Sequence, residues 1–558
     1  MPGIGVSPVN TDTSDDRPIV DGIIATTKSR YNYDPLDTFQ QEQERDRKIS
    51  AKLDWNISDG QRLSFTYINH FNSVPSTGGG SSNLVTAPNV GLQSNSYEST
   101  EATKVYTGQL NSRWSDSFST ELRVSYRDYV RGQVGYSDQG FAQFRVCTNP
   151  SDIVLGTNPT NSGLSCGNNA TVTFGTDQFR QSNSLATSNL NFQFNAKYNA
   201  GDHRIKFQFE GARQKVNNVF VPSSRGLFYF DSVADYNAGN ANSVSFTNAL
   251  NGDPNSGGAA KFTLYSYAFG LQDEWAITSK LTALIGARFD GYSQAKDSVV
   301  LNNFFVQRYG YRNTASLDGV TAFQPRLGLN WKPSERLNVE GGVGIFSGGV
   351  PLVLFSNSLA NDGTRLNSIT LERLYDSLGN PTGAFRDRNN ASTDPAVIAQ
   401  INAAGAAALN DVDGFGLQTN PIVNNYLSTN TASLANATTN VLDPNFRINS
   451  VLRINLNALY KVNLGSFLGD NWLLRGDVAI SSTANGYYLT DLRAIPNGTL
   501  PDGRPRYQGI GGSAGNDLLL TNTGKGYALT FSGSVSKEWA NGFGISAAYT
   551  RQTIKDVV

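Results

Sequence analysis

Between Thr263 and Asp290 the sequence alternates twice, in opposite directions, about a turn too short for anything but a hairpin. Tyr265, Tyr267, Phe269 and Leu271 fall on one face and Ser266, Ala268, Gly270, Gln272 and Glu274 on the other, the period of two of a strand. After Trp275-Ala276-Ile277-Thr278-Ser279-Lys280 a second arm sets Leu281, Ala283, Ile285, Ala287 and Phe289 opposite Thr282, Gly286, Arg288 and Asp290. Asp273 and Leu284 break the pattern. Arms of about ten residues with an aromatic at the turn match the length at which a tilted strand crosses a bilayer.

The same plan recurs along the chain. Lys48 to Ile57 pairs with Gln61 to Phe71 across Ser58-Asp59-Gly60, an Asp-Gly hairpin signal. Lys104 to Trp114 pairs with Ser119 to Val130, where Leu122, Val124 and Tyr126 oppose Glu121, Arg123, Ser125 and Arg127. Leu190 to Tyr198 alternates cleanly and returns through Asn199-Ala200-Gly201-Asp202 to Ile205, Phe207 and Phe209, with Lys206, Gln208 and Glu210 opposite. Phe323 to Trp331 joins Leu337 to Phe346, Leu452 to Val462 joins Trp472 to Ser481, and Tyr527 to Trp539 joins Phe543 to Tyr549 across Ala540-Asn541-Gly542. Seven hairpins make 14 strands, with short turns inside them and long connections between them, near 72–103, 131–187, 213–262, 292–321, 348–450 and 483–525. Short turns at one end and long loops at the other are the pattern of an all-β, antiparallel transmembrane β-barrel with long extracellular loops.

Composition removes the rivals. No run approaches the ~20 apolar residues of a membrane helix, and mean hydropathy is −0.34. A barrel escapes that test because only every second residue meets lipid. With 45 basic and 46 acidic residues the net charge is −1, which argues against a nucleic-acid partner. A soluble sandwich would not confine its long insertions to one end, and its outer face should be polar. Here one face is Phe, Leu, Tyr and Ile, and a wide wet lumen accommodates the other without burying unpaired charge. The expected inward set includes Arg123, Arg127, Lys206, Glu210, Arg288, Asp290, Arg326, Glu340, Arg453, Arg475 and Asp477. Most such residues form cross-strand ion-pair ladders, and a few could line a substrate path.

Residues 1–45 read as a surface loop segment, with a short helix over 21–31 before Asn32-Tyr33-Asp34-Pro35. Residues 46–558 read as the barrel. The first residues show neither a basic nor an apolar region of a secretion signal. Cys147 and Cys166, the only cysteines, share one polar loop. A disulfide there would constrain the loop by ~3 kcal/mol; two free thiols are the alternative, and a metal is disfavoured because neither His70 nor His203 lies near. Gly511-Gly512-Ser513-Ala514-Gly515 has the form of a nucleophile elbow, and Gly509 to Ala514 resembles a dinucleotide fingerprint. Neither has its strand and helix context, and no His follows, so both read as a flexible loop. Asp411-Val412-Asp413-Gly414 has part of a calcium loop without its remaining ligands and reads as a solvated turn. Asp394-Pro395 followed by Ala396 to Leu409 predicts a capped helix packed within the longest loop. No cofactor and no enzymatic activity are expected.

Phe269 to Thr282 followed by Gly286-Ala287-Arg288-Phe289-Asp290 resembles the mid-barrel signature of TonB-dependent outer-membrane receptors. Phe323-Gln324-Pro325-Arg326-Leu327-Gly328-Leu329-Asn330-Trp331-Lys332-Pro333, leading to Gly341 through Gly349, resembles that family's next hairpin. Ala51 to Ile57 after Tyr31 to Pro35 is similar to the Oar-like subgroup. The resemblance covers essentially the whole chain, and it speaks to barrel type, not to cargo. It implies a barrel of about 22 strands, a plug within it and a TonB-coupling segment. The plug and that segment are expected outside this stretch, which would make the chain a central slice incomplete at both ends. The implied partners are outer-membrane lipid, TonB through an N-terminal region not included, and a transported substrate that the residues do not identify. The implied location is the bacterial outer membrane. A passive porin-like or adhesive barrel is the alternative.

Overall fold

The structure is a computed structural model describing residues 17–40, 42–78, 89–148, 166, 169–295, 299–376, 380–510 and 516–556. Its frame is one sheet of sixteen strands, of which fourteen run consecutively and antiparallel. They are β1 (Arg45–Ser58), β2 (Gln61–Ser76), β3 (Tyr97–Arg113), β4 (Phe118–Gly135), β5 (Asn183–Ala200), β6 (His203–Phe220), β7 (Ala259–Thr278), β8 (Leu281–Ala295), β9 (Thr321–Ser334), β10 (Leu337–Ser347), β11 (Ser450–Val462), β12 (Trp472–Asp491), β13 (Tyr527–Glu538) and β14 (Gly544–Lys555). The two remaining strands, Thr439–Leu442 and Asp517–Thr523, branch from the far end of β12. Each wall strand pairs with its sequence neighbours, and β1 and β14 have one partner each among the described residues.

Asp-Gly and Asn-Gly chemistry sets the turns. Gly60 and Gly542 take positive φ, +78° and +84°, a conformation that glycine adopts freely in a tight turn and L-residues only at a cost. With each turn fixed, the period of two fixes which residues share a face, since a one-residue slip would exchange the faces. Phe269 stands opposite both Phe209 and Phe289, and Leu271 opposite Phe207 and Ala287. On β7's apolar face Tyr265, Tyr267, Phe269, Leu271, Trp275 and Ile277 are all exposed, Leu271 at 59%. The strands run past the apolar band: β7 is 20 residues long, against the about 10 needed to cross.

The long connections do not stay loops. Asn89–Gly91, Gln143–Cys147, Thr171–Phe174, Leu227–Phe230, Ser243–Ala249, Leu366–Tyr375 and Pro381–Asp387 build a second, seven-stranded sheet beyond the wall. Two of its ladders are parallel, Gln143–Cys147 with Leu227–Phe230 and Asn89–Gly91 with Thr171–Phe174. Phe141, Phe144, Phe174, Phe230 and Tyr236 form its core and are fully buried. The opening segment lies on the surface of this cap and is anchored to it. Its helix, Arg17–Arg30, begins earlier than the sequence suggests and buries Val20, Ile23 and Thr27, while Tyr31 stacks on Tyr236.

Candidate functional site: the inner face of the wall

Two surfaces of the wall follow from one alternation. Outward, all six tryptophans of the chain, Trp55, Trp114, Trp275, Trp331, Trp472 and Trp539, lie at or next to the short turns. Each shares the outward parity of its strand, and Trp55 and Trp114 are 59% and 61% exposed. A row of indoles at one end of an apolar band marks a membrane–water interface, where an apolar body and an N–H both find partners. Asp273, which broke the apolar pattern, sits in this row: its carboxylate meets His203 Nδ1 at 2.6 Å, and His203 stacks on Trp275. Leu284, the other break, falls on the inner face opposite Gly328.

On the opposite, polar face the charged residues divide into paired and unpaired. Arg288 contacts Glu210 at 2.8 Å and Asp290 at 2.7 Å. Asp290 also accepts from Gln324, whose amide oxygen accepts the Ser347 N–H at 2.9 Å. Arg123 donates to Gln109 at 2.8 Å and lies 3.5 Å from Glu121. Arg127 stands opposite Asn189. Glu340 accepts from Asn330 and Asn338 at 3.0 and 2.9 Å. Arg475 meets Asp477 at 3.1 Å, and Asp477 accepts from Asn457 as well. Among the described residues Arg127, Lys206, Arg326 and Arg453 have no carboxylate in ion-pair contact, and the Arg326 Nε is buried without a hydrogen-bond partner. Phe346, an aromatic on the polar face, lies with its ring centroid 5.0 Å from the Arg326 guanidinium and 5.6 Å from that of Arg453. The sequence signal for it was a break in alternation at the end of β10.

The cap closes around buried charge. Asp517, fully buried, accepts from Arg493 at 2.9 Å, Arg308 at 3.1 Å and the Tyr309 hydroxyl at 2.9 Å. Burial, with the Asp517 hydrogen bond behind it, pushes the Tyr309 hydroxyl up to about 12. Glu372 is held between Arg386 and Arg388. Cys147 and Cys166 are joined by a disulfide with Cα atoms 5.5 Å apart, packed on Tyr229. The helix Pro395–Leu409 is capped by Asp394, which accepts the Ala396 N–H at 2.8 Å, and it buries Ile401, Ala404 and Leu409 in the cap core. Asp413 accepts two backbone N–H groups of its own turn. No group of three or more potential metal ligands occurs among the described residues. Gly511 to Gly515 lie outside the described residues.

The family model described as "Outer membrane beta barrel domain" matches residues 22–550. No curated protein matches the chain in sequence. Solved structures similar to it include the outer membrane transporter YddB from Escherichia coli, at 9% identity and a TM-score of 0.48, covering 91% of this chain and 48% of that one. A single-site mutant of the ferric enterobactin receptor PfeA from Pseudomonas aeruginosa aligns at 11% identity and a TM-score of 0.44, covering 91% and 51%. The alcaligin outer membrane receptor FauA from Bordetella pertussis aligns at 9% and 0.40, covering 92% and 54%. The chain spans about half the length of these solved proteins.

Proposed function

The chain belongs to the outer membrane β-barrel domain family, and on that premise we propose that it is the wall and outer cap of a TonB-dependent transporter that moves a solute across the bacterial outer membrane. The observation that carries the reading is the division of one sheet into an apolar outer face edged by tryptophan at its short-turn end and a charged inner face. At the other end, loops from four hairpins fold into a cap with a core of its own. A passive pore needs only short loops, whereas a cap of this size supplies a surface on which a cargo can be selected before entry. The mid-barrel resemblance over Phe269 to Thr282 and Phe323 to Pro333 supports the energised reading over the porin-like one.

In this proposal β1 and β14 are completed by further strands of a longer protein, because an open sheet edge has no partner for its N–H and C=O groups in lipid. A plug fills the lumen and carries the TonB-coupling segment. The chain contributes binding and passage, with no covalent step and no resident cofactor. Planar-bilayer recording on the full-length protein tests this. A plugged, energised receptor shows no steady ion conductance and binds the periplasmic domain of TonB. Stable conductance steps without TonB binding would replace it with the porin-like reading.

A further inference from the structure

We propose that the inner face carries an anion track: five cations without an ion-pair partner among the described residues, Arg113, Lys197, Lys206, Arg326 and Arg453, set on a single hydrogen-bond row that climbs from the short-turn end to the cap. The register defines the row. Arg113 stands opposite Ser119, Ser119 opposite Lys197, and Lys197 opposite Lys206. The row continues through Gln272 and Gly286 to Arg326, and then through Gly344 to Arg453. Arg113 is the last residue of β3, beside a short turn, whereas Arg453 lies close to the cap end of β11. Strands of a barrel are tilted, so a row perpendicular to them rises through the wall.

The row contains no carboxylate, and the acids on either side are engaged elsewhere. Glu210 and Asp290 hold Arg288, Glu274 faces Arg204, and Asp477 holds Arg475. Residues between the cations are small or neutral, so nothing on the row offsets their mutual repulsion. The track is most developed at Arg326 and Arg453. Gly344 between them lets the Phe346 ring fold onto the strand: a Cβ there would stand 3.2 Å from that ring and 3.4 Å from Arg326 Cγ. Both guanidinium groups pack against the ring, which fixes them without neutralising them. They border a concavity of about 550 Å³ in which Asn455, Thr530 and Gln552 add polar groups and no acid appears.

Two planar forks beside hydrogen-bonding amides match a carboxylate or phosphate group. That group can belong to a free anionic solute or to an acidic side chain of the polypeptide filling the lumen. The inference rests on the reading of this face as the interior.

The test uses the full-length protein in lipid nanodiscs, modified with phenylglyoxal and read by mass spectrometry at Arg326 and Arg453, with the exposed Arg506 as reference. Citrate at constant ionic strength is expected to slow both sites about fivefold once it exceeds its dissociation constant about fourfold, leaving Arg506 unchanged. That result assigns the track to free anions. Slow modification without citrate, released by about 1 M chloride where the Debye length is ~3 Å, assigns the partner to the protein's own carboxylates. Both sites reacting at the rate of Arg506 under all conditions overturns the track and leaves the lumen reading intact. Resistance unaffected by citrate or chloride means the face is shielded from water, and it overturns the lumen reading together with the track.

Discussion

Arg288 on β8 reaches across the intervening strand β7 to Glu210 on β6, 2.8 Å away, while its Nε holds Asp290 on its own strand. The reach is possible because β7 presents only Ala268 and Gly270 beneath it: Ala268 stands between Glu210 and Asp290, and Gly270 is opposite Arg288. Through Asp290, Gln324 and the Ser347 N–H the same network extends to β10, so it joins residues of four strands across a span of five.

Replacing Arg288 with Met takes the cation from two carboxylates, one of them 7% exposed, and leaves each with an amide donor. The expected cost is ~2 kcal/mol, between that of an exposed and of a buried pair. Glu210→Gln should cost less, because Arg288 keeps Asp290. Equilibrium unfolding of the full-length protein from lipid vesicles measures both.

Leu271 and Leu284 are chemically alike and lie on adjacent strands, on opposite faces of the wall. Leu271→Arg should destabilise by ~2–4 kcal/mol because it puts a charge in the apolar band. Leu284→Arg should cost under ~1 kcal/mol because its charge enters the wet face. Equal costs in the same unfolding assay would contradict the assignment of faces.

With all six tryptophans at the short-turn end, the intrinsic fluorescence reports one interface. Lipids brominated high on the acyl chain should quench it more than lipids brominated near the terminal methyl. Stronger quenching from the bilayer centre would show that the indoles have been placed at the wrong depth.

Asp470, in the turn between β11 and β12, accepts hydrogen bonds from Nη1 and Nη2 of Arg336 at 2.6 and 2.5 Å. That hydrogen-bonded fork holds its carboxyl at about 2 against an ordinary 3.8. A lowered carboxyl contributes stability that is complete above the ordinary value and lost as pH falls toward the lowered one. The turn should therefore stay ordered down to about pH 4 and loosen as pH approaches 2. Trp472, whose indole donates to the Leu468 carbonyl at 2.9 Å, reports this by fluorescence, and Arg336→Gln should move the change toward 3.8.

The Cys147–Cys166 bridge spans 19 residues and is packed in the cap. Reduction should lower the cap's stability by ~3 kcal/mol and leave the wall folded. Hydrogen exchange with and without reductant separates the two, with faster exchange expected over Leu227–Phe230 and unchanged exchange over β7. The single substitutions Cys147→Ser and Cys166→Ser should each match the effect of reduction.

The wall was legible because its information is local. Ser58-Asp59-Gly60 and Ala540-Asn541-Gly542 name their turns, and the alternation beside each turn sorts Phe269 from Gly270 and Ile285 from Arg288 within one hairpin. A period of two admits no slip without reversing every side chain, so sequence by itself determined the hairpins and which residues share a face. The cap was not legible. Its strands are short, Leu227–Phe230 pairs in parallel with Gln143–Cys147, and Asp517 gathers Arg308 and Arg493 from separate loops. Such pairings join segments far apart in the chain, and no local period encodes them. The cation row stands between these cases. Lys197, Lys206, Arg326 and Arg453 could each be assigned inward from their own strand, but their alignment depends on how every hairpin registers with the next. That stagger is decided by the tertiary packing of the whole sheet, because a turn fixes the register within its hairpin and leaves the register between hairpins to the assembled wall.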